Sequence, residues 1–349
     1  MIICYFGIYH SEYSRNRVFI KGLRQNGVEV IECNSRLKGG AKYLDLFWQH
    51  WRLRKKYQAM VVGFPGYQVM ILARILTRRP IIFDALSSFY DSMIIDRGLA
   101  RPGSLVAVYY WTLDWLACRL ADKVILDTET QIDYFVKTFG IRRAKFQRIF
   151  IGSDDEAVYP LEKTEPEGPF LVHFHGAFNP LQGVEFIVQA AKLLEKENIE
   201  FNIIGKGQTY KDIRKLAEEL GVTNVNFIDP VGYEELKEYM AQADICLGVF
   251  GRTAKARQVI PNKVYEALAA GKAIITGETP AIKELLVDKE NILLCNLADT
   301  EDLADKIREL KNNPELGRLI AAGGYALFQE KLRPKILGEQ LKELIDRLV

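Results

Sequence analysis

Short apolar runs recur along this chain, and stretches of helical periodicity stand between them. Runs such as Ala59–Val62 and Ile81–Phe83 are continuously apolar rather than alternating. That is the pattern of strands covered on both faces, which parallel sheets with helices on either side require. The first half reads as strands at Met1–Phe6, Val28–Glu32, Ala59–Val62, Ile81–Phe83, Val124–Leu126 and Phe146–Ile149, with a helix around Asn16–Asn26 ending at Gly27. Residues 153–168 are acidic, carry Pro160, Pro166 and Gly168, and read as a linker. A second series follows. Its strands are Phe170–Phe174, Phe201–Ile204, Val225–Phe227, Ile245–Val249, Ala273–Thr276 and Ile292–Leu294. Its helices are Val184–Lys196, Tyr210–Leu220, Tyr233–Ala241, Lys263–Ala270 and Ile282–Leu286, and two long helical segments close the chain. Alternation of this kind predicts two α/β, Rossmann-like domains. Ligands of such sheets bind outside the carboxyl ends of the strands. The pattern by itself admits dehydrogenases, epimerases and sugar transferases alike.

A length of 349 residues agrees with two domains at about 150 residues each. The expected division is 1–152 and 153–334, with a last helix at about 335–349 returning to the first domain and Pro334 as a kink at the crossing. The 48% hydrophobic and 26% charged composition is that of a folded globular chain. Its longest apolar stretch, Met60–Leu76, is broken by Gly63, Pro65, Gly66, Gln68 and Arg74, too soon for a membrane span. The N-terminal MIICYFGIYH lacks the basic and cleavage regions of a signal peptide. The five cysteines are scattered, without any CxxC, so neither a disulfide framework nor a zinc site is suggested. These features fit a cytoplasmic protein.

Charge is unevenly divided. Residues 1–150 hold 23 Lys and Arg against 12 Asp and Glu, whereas 151–349 hold 24 against 33. A basic half favours anionic surfaces, although the two halves could also attract each other. Within it, Lys42–Tyr57 (KYLDLFWQHWRLRKKY) combines Leu44, Phe47, Trp48, Trp51 and Leu53 with Arg52, Arg54, Lys55 and Lys56. Such a helix suits a membrane interface; packed on its own domain with a basic outer face, it would look the same.

The stretch richest in chemistry is Gln258–Thr276, QVIPNKVYEALAAGKAIIT. Pro261 and Asn262 are good helix-start residues, and Gly271 ends the short helix. A helix N-terminus favours anions, and Lys263 adds a full charge there. Glu266, one turn on, lies on nearly the same face and can accept hydrogen bonds from a ribose diol. Taken alone, the fragment also admits the reading of an ordinary surface Lys–Glu pair. No GxGxxG dinucleotide fingerprint follows Gly7 or accompanies Gly205-Lys206-Gly207, and no P-loop occurs.

The pattern PNKxxEAxAxGKxxIT resembles the donor-site segment of family-four retaining glycosyltransferases of the GT-B fold. PFLVHFHGAFNPLQGVEFIVQAAKLL, FNIIGKGQTYKDIRKLAEEL and VNFIDPVGYEELKEYMAQADICL are similar to the strands, glycine turns and helices before it, over about 170–295. In the first half the likeness rests on RLADKVILDTETQIDYFVKTFGI and IGSDDEAVYP. The resemblance implies two Rossmann-like domains facing each other across a cleft and transfer of a hexose from a nucleotide diphosphate sugar, with no metal and no cofactor. Lys263, Gln258 and Asp84 would be catalytic. Glu266 would hold ribose, and Gly176, Asn179, Gln182, Gly205, Asn262, Arg252 and Arg257 would line the donor site. Gly7 and Arg15 would lie on the acceptor side. The family's usual Glu-x7-Glu pair is here Gln258 and Glu266. Its Arg and Lys in the glycine loop are replaced by Ala177 and Gln182, so Lys263, with Arg252, Lys255 or Arg257, would supply the missing charge.

Other residues read less sharply. His173 and His175 alternate on one strand face without a third metal ligand, which suggests packing or cleft lining. Asp84 reads as the end of the Ile81–Phe83 strand, either facing ligand or capping a turn. Arg15 and Arg17 read as lying in a loop after the first strand, where they would meet an acceptor phosphate or solvent. Expected partners are a nucleotide sugar, a lipid-linked or glycan acceptor and an anionic membrane surface, rather than nucleic acid. A sugar-nucleotide 2-epimerase and a non-catalytic relative are the alternatives.

Overall fold

A computed structural model describes residues 1–164 and 168–349; 165–167, which include Pro166 of the expected linker, lie outside the described residues. The chain divides into two compact units, Met1–Gly152 with Leu332–Val349, and Ser153–Lys331.

The first unit runs β1 (Ile2–Gly7), α1 (Ser14–Gln25), β2 (Glu29–Asn34), α2 (Ala41–Leu53), β3 (Ala59–Val62), α3 (Met70–Leu76), β4 (Ile81–Leu86), α4 (Leu105–Leu120), β5 (Lys123–Leu126), α5 (Glu129–Phe139) and β6 (Phe146–Arg148). Its six strands are parallel in the order β2-β1-β3-β4-β5-β6. The core strands are buried end to end, as their unbroken apolar runs require. From β2 onward each crossover steps in the same direction. Right-handed connections therefore put α2 to α5 on one face of the sheet and α1 on the other.

The second unit runs β7 (Phe170–His175), α6 (Val184–Leu193), β8 (Ile199–Ile204), α7 (Tyr210–Leu220), β9 (Val225–Ile228), α8 (Leu236–Gln242), β10 (Ile245–Leu247), α9 (Asn262–Ala269), β11 (Ala273–Gly277), β12 (Leu293–Cys295), α10 (Thr300–Asn312) and α11 (Pro314–Lys331). The strand order is β12-β11-β10-β7-β8-β9, all parallel. The order reverses between β7 and β10, and the loops after β7, β8 and β10 carry glycines.

The last helix, α12 (Pro334–Asp346), belongs to the first unit and packs on α1. Two glycines make that crossing close: a Cβ on Gly22 would lie 2.0 Å from the Pro334 carbonyl oxygen, and one on Gly338 2.1 Å from the Gly22 carbonyl carbon. Pro334 opens α12 and kinks no helix, because the break already falls at Leu332 and Arg333. Three helices, not two, close the chain, since Asn313 interrupts the periodic stretch before Pro314.

Two local differences bear on function. The strand containing Asp84 does not end there: β4 continues to Leu86 through a register shift against β5. The helix after β1 begins at Ser14, so Arg15 and Arg17 sit in its first turns rather than in a loop.

Candidate functional site

In the second unit β7 ends at His175, and Gly176 turns the chain into a loop that reaches α6 at Val184. Gly176 has φ +152° and Gly205 φ +140°, values that side-chain-bearing residues rarely adopt. The two loops are also interlocked, since a Cβ on Gly205 would lie 1.9 Å from the Gly176 carbonyl oxygen. Phe178 N donates to the Lys206 carbonyl, and Phe250 N donates to the Gln182 carbonyl. Three loops are thus tied backbone to backbone at the carboxyl ends of β7, β8 and β10.

Helix α9 starts against this base, with Pro261 as its N-cap. Lys263 is buried, its Nζ held by Gln182 Oε1 and lying 3.6 Å from the centre of the Phe174 ring. A Cβ on Gly176 would come within 2.7 Å of the same Nζ. Burial holds the Lys263 ammonium well below the usual lysine range, against the opposing pull of Glu266. No salt bridge to Lys263 is formed among the described residues. A desolvated amine facing a neutral amide and an aromatic face is an incomplete arrangement, which an anion would complete.

Glu266 is buried one turn further on. Its Oε2 accepts from His175 Nε2 at 2.8 Å, and His175 Nδ1 lies 2.8 Å from His173 Nε2. His173, 1% exposed, is kept well below the ordinary histidine range by burial and by the neighbouring His175, Lys263 and Lys272. The sequence reading placed both histidines as packing or lining. What it missed is their link to Glu266, whose only advance sign was two polar residues alternating into the end of a buried strand. Asn179 Oδ1 is buried and has no hydrogen-bond partner among the described residues. Among the described residues no three His, Cys, Asp or Glu side chains are arranged to hold a metal ion.

The structure therefore brings together Lys263, Glu266, Gln182 and Gly176, with Gly205 underneath. Asn262 opens α9, and Gln258 lies half-buried just before it. Arg252 is exposed, donates to the Ala298 carbonyl and lies near the Phe186 ring; Arg257 is exposed. Lys255, in the same loop, is buried.

In the first unit Asp84 and Arg15 are both wholly buried, and against each other. Arg15 Nε lies 3.1 Å from each Asp84 oxygen and Nη2 lies 3.0 Å from Oδ1, while Nη1 donates to the carbonyls of Ile149 and Phe150. Burial pushes the Asp84 carboxyl upward against the pull of Arg15. The expectation that Asp84 faces ligand or caps a turn and that Arg15 meets an acceptor phosphate or solvent is corrected here: the pair ties β4 and α1 to the chain beyond β6 and presents no surface. Gly7 ends β1 beside an open pocket of about 430 Å³ lined by Tyr9, His10, Glu12, Ser35 and Arg36. On α2, Leu44, Trp48 and Trp51 are 67%, 58% and 49% exposed, while Leu46 and His50 carry the packing.

Residues 158–326 match the family model described as Glycosyl transferases group 1. The chain is 28% identical over 43% of its length to an uncharacterized glycosyltransferase of Methanocaldococcus jannaschii, of which it spans 41%. It is 22% identical over 77% of its length to the N,N'-diacetylbacillosaminyl-diphospho-undecaprenol alpha-1,3-N-acetylgalactosaminyltransferase of Campylobacter jejuni, of which it spans 70%. Among solved structures, Anabaena HepE in complex with UDP and glucose superposes with a TM-score of 0.74 at 16% identity, covering 99% of both chains. The GT-B fold that the sequence resemblance implied is thus the fold of this chain. No helix among the described residues is long and apolar enough to cross a membrane.

Proposed function

We propose that this chain, whose residues 158–326 belong to the glycosyl transferases group 1, moves a hexosyl group from a nucleoside diphosphate sugar to a lipid-linked or glycan acceptor with retention of configuration. The observation that carries the reading is Lys263: a buried amine that forms no salt bridge among the described residues, at a helix start beside interlocked glycine loops. A diphosphate supplies the anion that this place lacks. The printed names of the relatives agree, since one structural neighbour holds UDP and glucose and the Campylobacter relative is named for a diphospho-undecaprenol acceptor.

In the proposed reaction the acceptor hydroxyl oxygen forms a bond to the anomeric carbon. The bond from that carbon to the diphosphate oxygen breaks, its electron pair leaves with the nucleoside diphosphate, and the hydroxyl proton passes to the departing phosphate oxygen. The developing charge is on that phosphate, so a cation fixed there in a dry site lowers the barrier. Lys263 fills the role, and Glu266 holds the ribose. Side chains meet the diphosphate charge, and no resident metal or organic cofactor is invoked.

The first unit supports an acceptor at a membrane. On the sheet face carrying α2, α3 and α4, exposed apolar side chains extend beyond Trp48 and Trp51 to Ile71, Ile75, Leu105 and Val108, with Arg52, Arg54, Lys55 and Lys56 exposed at the end of α2. Apolar side chains rimmed by cations suit an anionic bilayer surface, and a lipid-linked acceptor would be met there.

The test is nucleoside diphosphate release from UDP-, GDP- and ADP-hexoses, with and without a polyprenyl-phosphate-linked acceptor. Release from one donor class that depends on the acceptor is expected. Epimerisation without release would favour the 2-epimerase, and no thermal stabilisation by any of these nucleotides would overturn the donor site.

A further inference from the structure

We propose that His175, backed by His173, is a positioning group that holds one oxygen of Glu266 so that the other is presented to the vicinal diol of the donor's ribose. The inference rests on the donor reading above and goes further, assigning a role to two residues that this reading does not use.

The geometry fixes the direction of the hydrogen bonds. A carboxylate only accepts, so His175 Nε2 must donate to Glu266 Oε2. A neutral imidazole then has Nδ1 as its acceptor, and His173 Nε2 must donate to it. That leaves His173 Nδ1 as a lone pair, and this buried atom has no partner among the described residues. The opposite polarity would place an N–H donor in that dry position, at a larger cost than an unused lone pair. Desolvation keeps His173 uncharged, in agreement with this assignment. The chain therefore points one way, from the core of the unit toward the carboxylate.

The consequence lies in Glu266. A glutamate at the edge of a binding site has three side-chain torsions to lose when a ligand arrives. Here Oε2 is already held, and Oε1 accepts no hydrogen bond from the described residues. A fixed carboxylate with one oxygen engaged and one open is preorganised for a pair of hydroxyl donors. An apolar residue at position 175 would fill the end of β7 as Val172 and Phe174 fill its other face, but it would leave Glu266 free to turn. The strand would pack equally well, and the recognition of ribose would suffer.

The experiment is a binding comparison with the intact chain. The probes are UDP, GDP or ADP, whichever the wild type binds most tightly, and the 2′,3′-dideoxy form of that nucleotide. His175→Met should weaken the ribonucleotide by roughly tenfold, the scale of one charge-assisted hydrogen bond, and change the dideoxy form by less than about twofold. His175→Gln, whose amide nitrogen reaches the place of Nε2, should restore most of the loss. His173→Met removes a group one step further from the ligand, behind His175, and should show the same selectivity at smaller size. In turnover the effect should fall on KM with kcat nearly constant. If His175→Met fails to fold, His175→Gln and His173→Met carry the same comparison. Equal weakening of both nucleotides, or no weakening of either, overturns the proposal while leaving the donor site standing. A wild type that binds none of the nucleotides overturns the donor reading and this inference with it.

Discussion

Each unit buries a cation near the carboxyl ends of its strands, and the two stand in opposite surroundings. Arg15 meets a carboxylate through Nε and Nη2 and two carbonyls through Nη1. Lys263 meets one neutral amide and the face of Phe174. Burying a charge is costly in both places, yet among the described residues only the first forms a direct ion pair; Lys263 feels Glu266 through space, and burial outweighs that pull. A completed ion pair reads as framework, and an incomplete one as a place that waits for a ligand. The surfaces differ as well. The first unit carries 27 Lys and Arg against 15 Asp and Glu, and the second 20 against 30.

The largest effect should come from breaking the completed pair. Asp84→Ala leaves Arg15 buried without its counter-charge, and losses of about 3–5 kcal/mol are typical of such cuts. Urea unfolding should show the first unit destabilised by that order. An Asp84→Ala protein as stable as the wild type would mean that Asp84 is not framework, and the contrast with Lys263 would fall.

Removing the incomplete cation should do the reverse. Lys263→Ala should abolish turnover and weaken nucleoside diphosphate binding by about 2–5 kcal/mol, as truncated buried charge contacts do. Its unfolding midpoint should be unchanged or higher, since a desolvated amine, costly to bury in either protonation state, is gone. Wild-type turnover in Lys263→Ala sinks the assignment.

That contrast was only half legible beforehand. The fold class could be read because parallel strands are covered on both sides and so spell continuous apolar runs. Lys263 and Glu266 stood out as a pair because their spacing is local, three residues apart on one helix, whereas their burial, which excludes a surface pair, was not legible. Arg15 and Asp84 stand 69 residues apart, and nothing near either announces the other. Asp84 was misread as a strand end because β4 runs on through a register shift, a feature of pairing with β5 rather than of its own sequence. The link from His175 to Glu266 spans 91 residues and was invisible for the same reason. The exposure of Trp48 and Trp51 depends on which side of α2 faces α3, and the amphipathic pattern left that open.

The surface half of the comparison is tested with vesicles. Each basic residue near anionic lipid is worth about 1 kcal/mol, so the double variant Lys55→Gln, Lys56→Gln should weaken partitioning by about 2 kcal/mol, roughly 30-fold. Neutralising Lys215 on the second unit, 75% exposed in its side chain, should change nothing. Added salt should erode the wild-type affinity as the screening length shortens. Equal binding to anionic and neutral vesicles, or none to either, would count against a membrane face.

The smallest effect is a proton. Burial holds the Lys263 ammonium well below the usual lysine range in the free protein. A bound diphosphate favours the charged form, so the complex holds more proton at this amine than the free protein does. Binding then takes up a proton, and affinity falls as pH rises between the free and bound values. The slope is at most tenfold per pH unit, or about 1.4 kcal/mol. Below the free value Lys263 is charged in both states and contributes no slope. A nucleotide sugar is the right ligand, because its diphosphate is doubly esterified and does not itself titrate near neutrality. His173 does not confuse the measurement, being held neutral well below the usual range. Calorimetric titration in two buffers of different ionisation enthalpy reads the uptake directly, and Lys263→Met should remove it. Equal heats in both buffers would mean that Lys263 is already charged when the site is empty. The difference between the two buried cations would then be one of partners alone, with no difference in protonation.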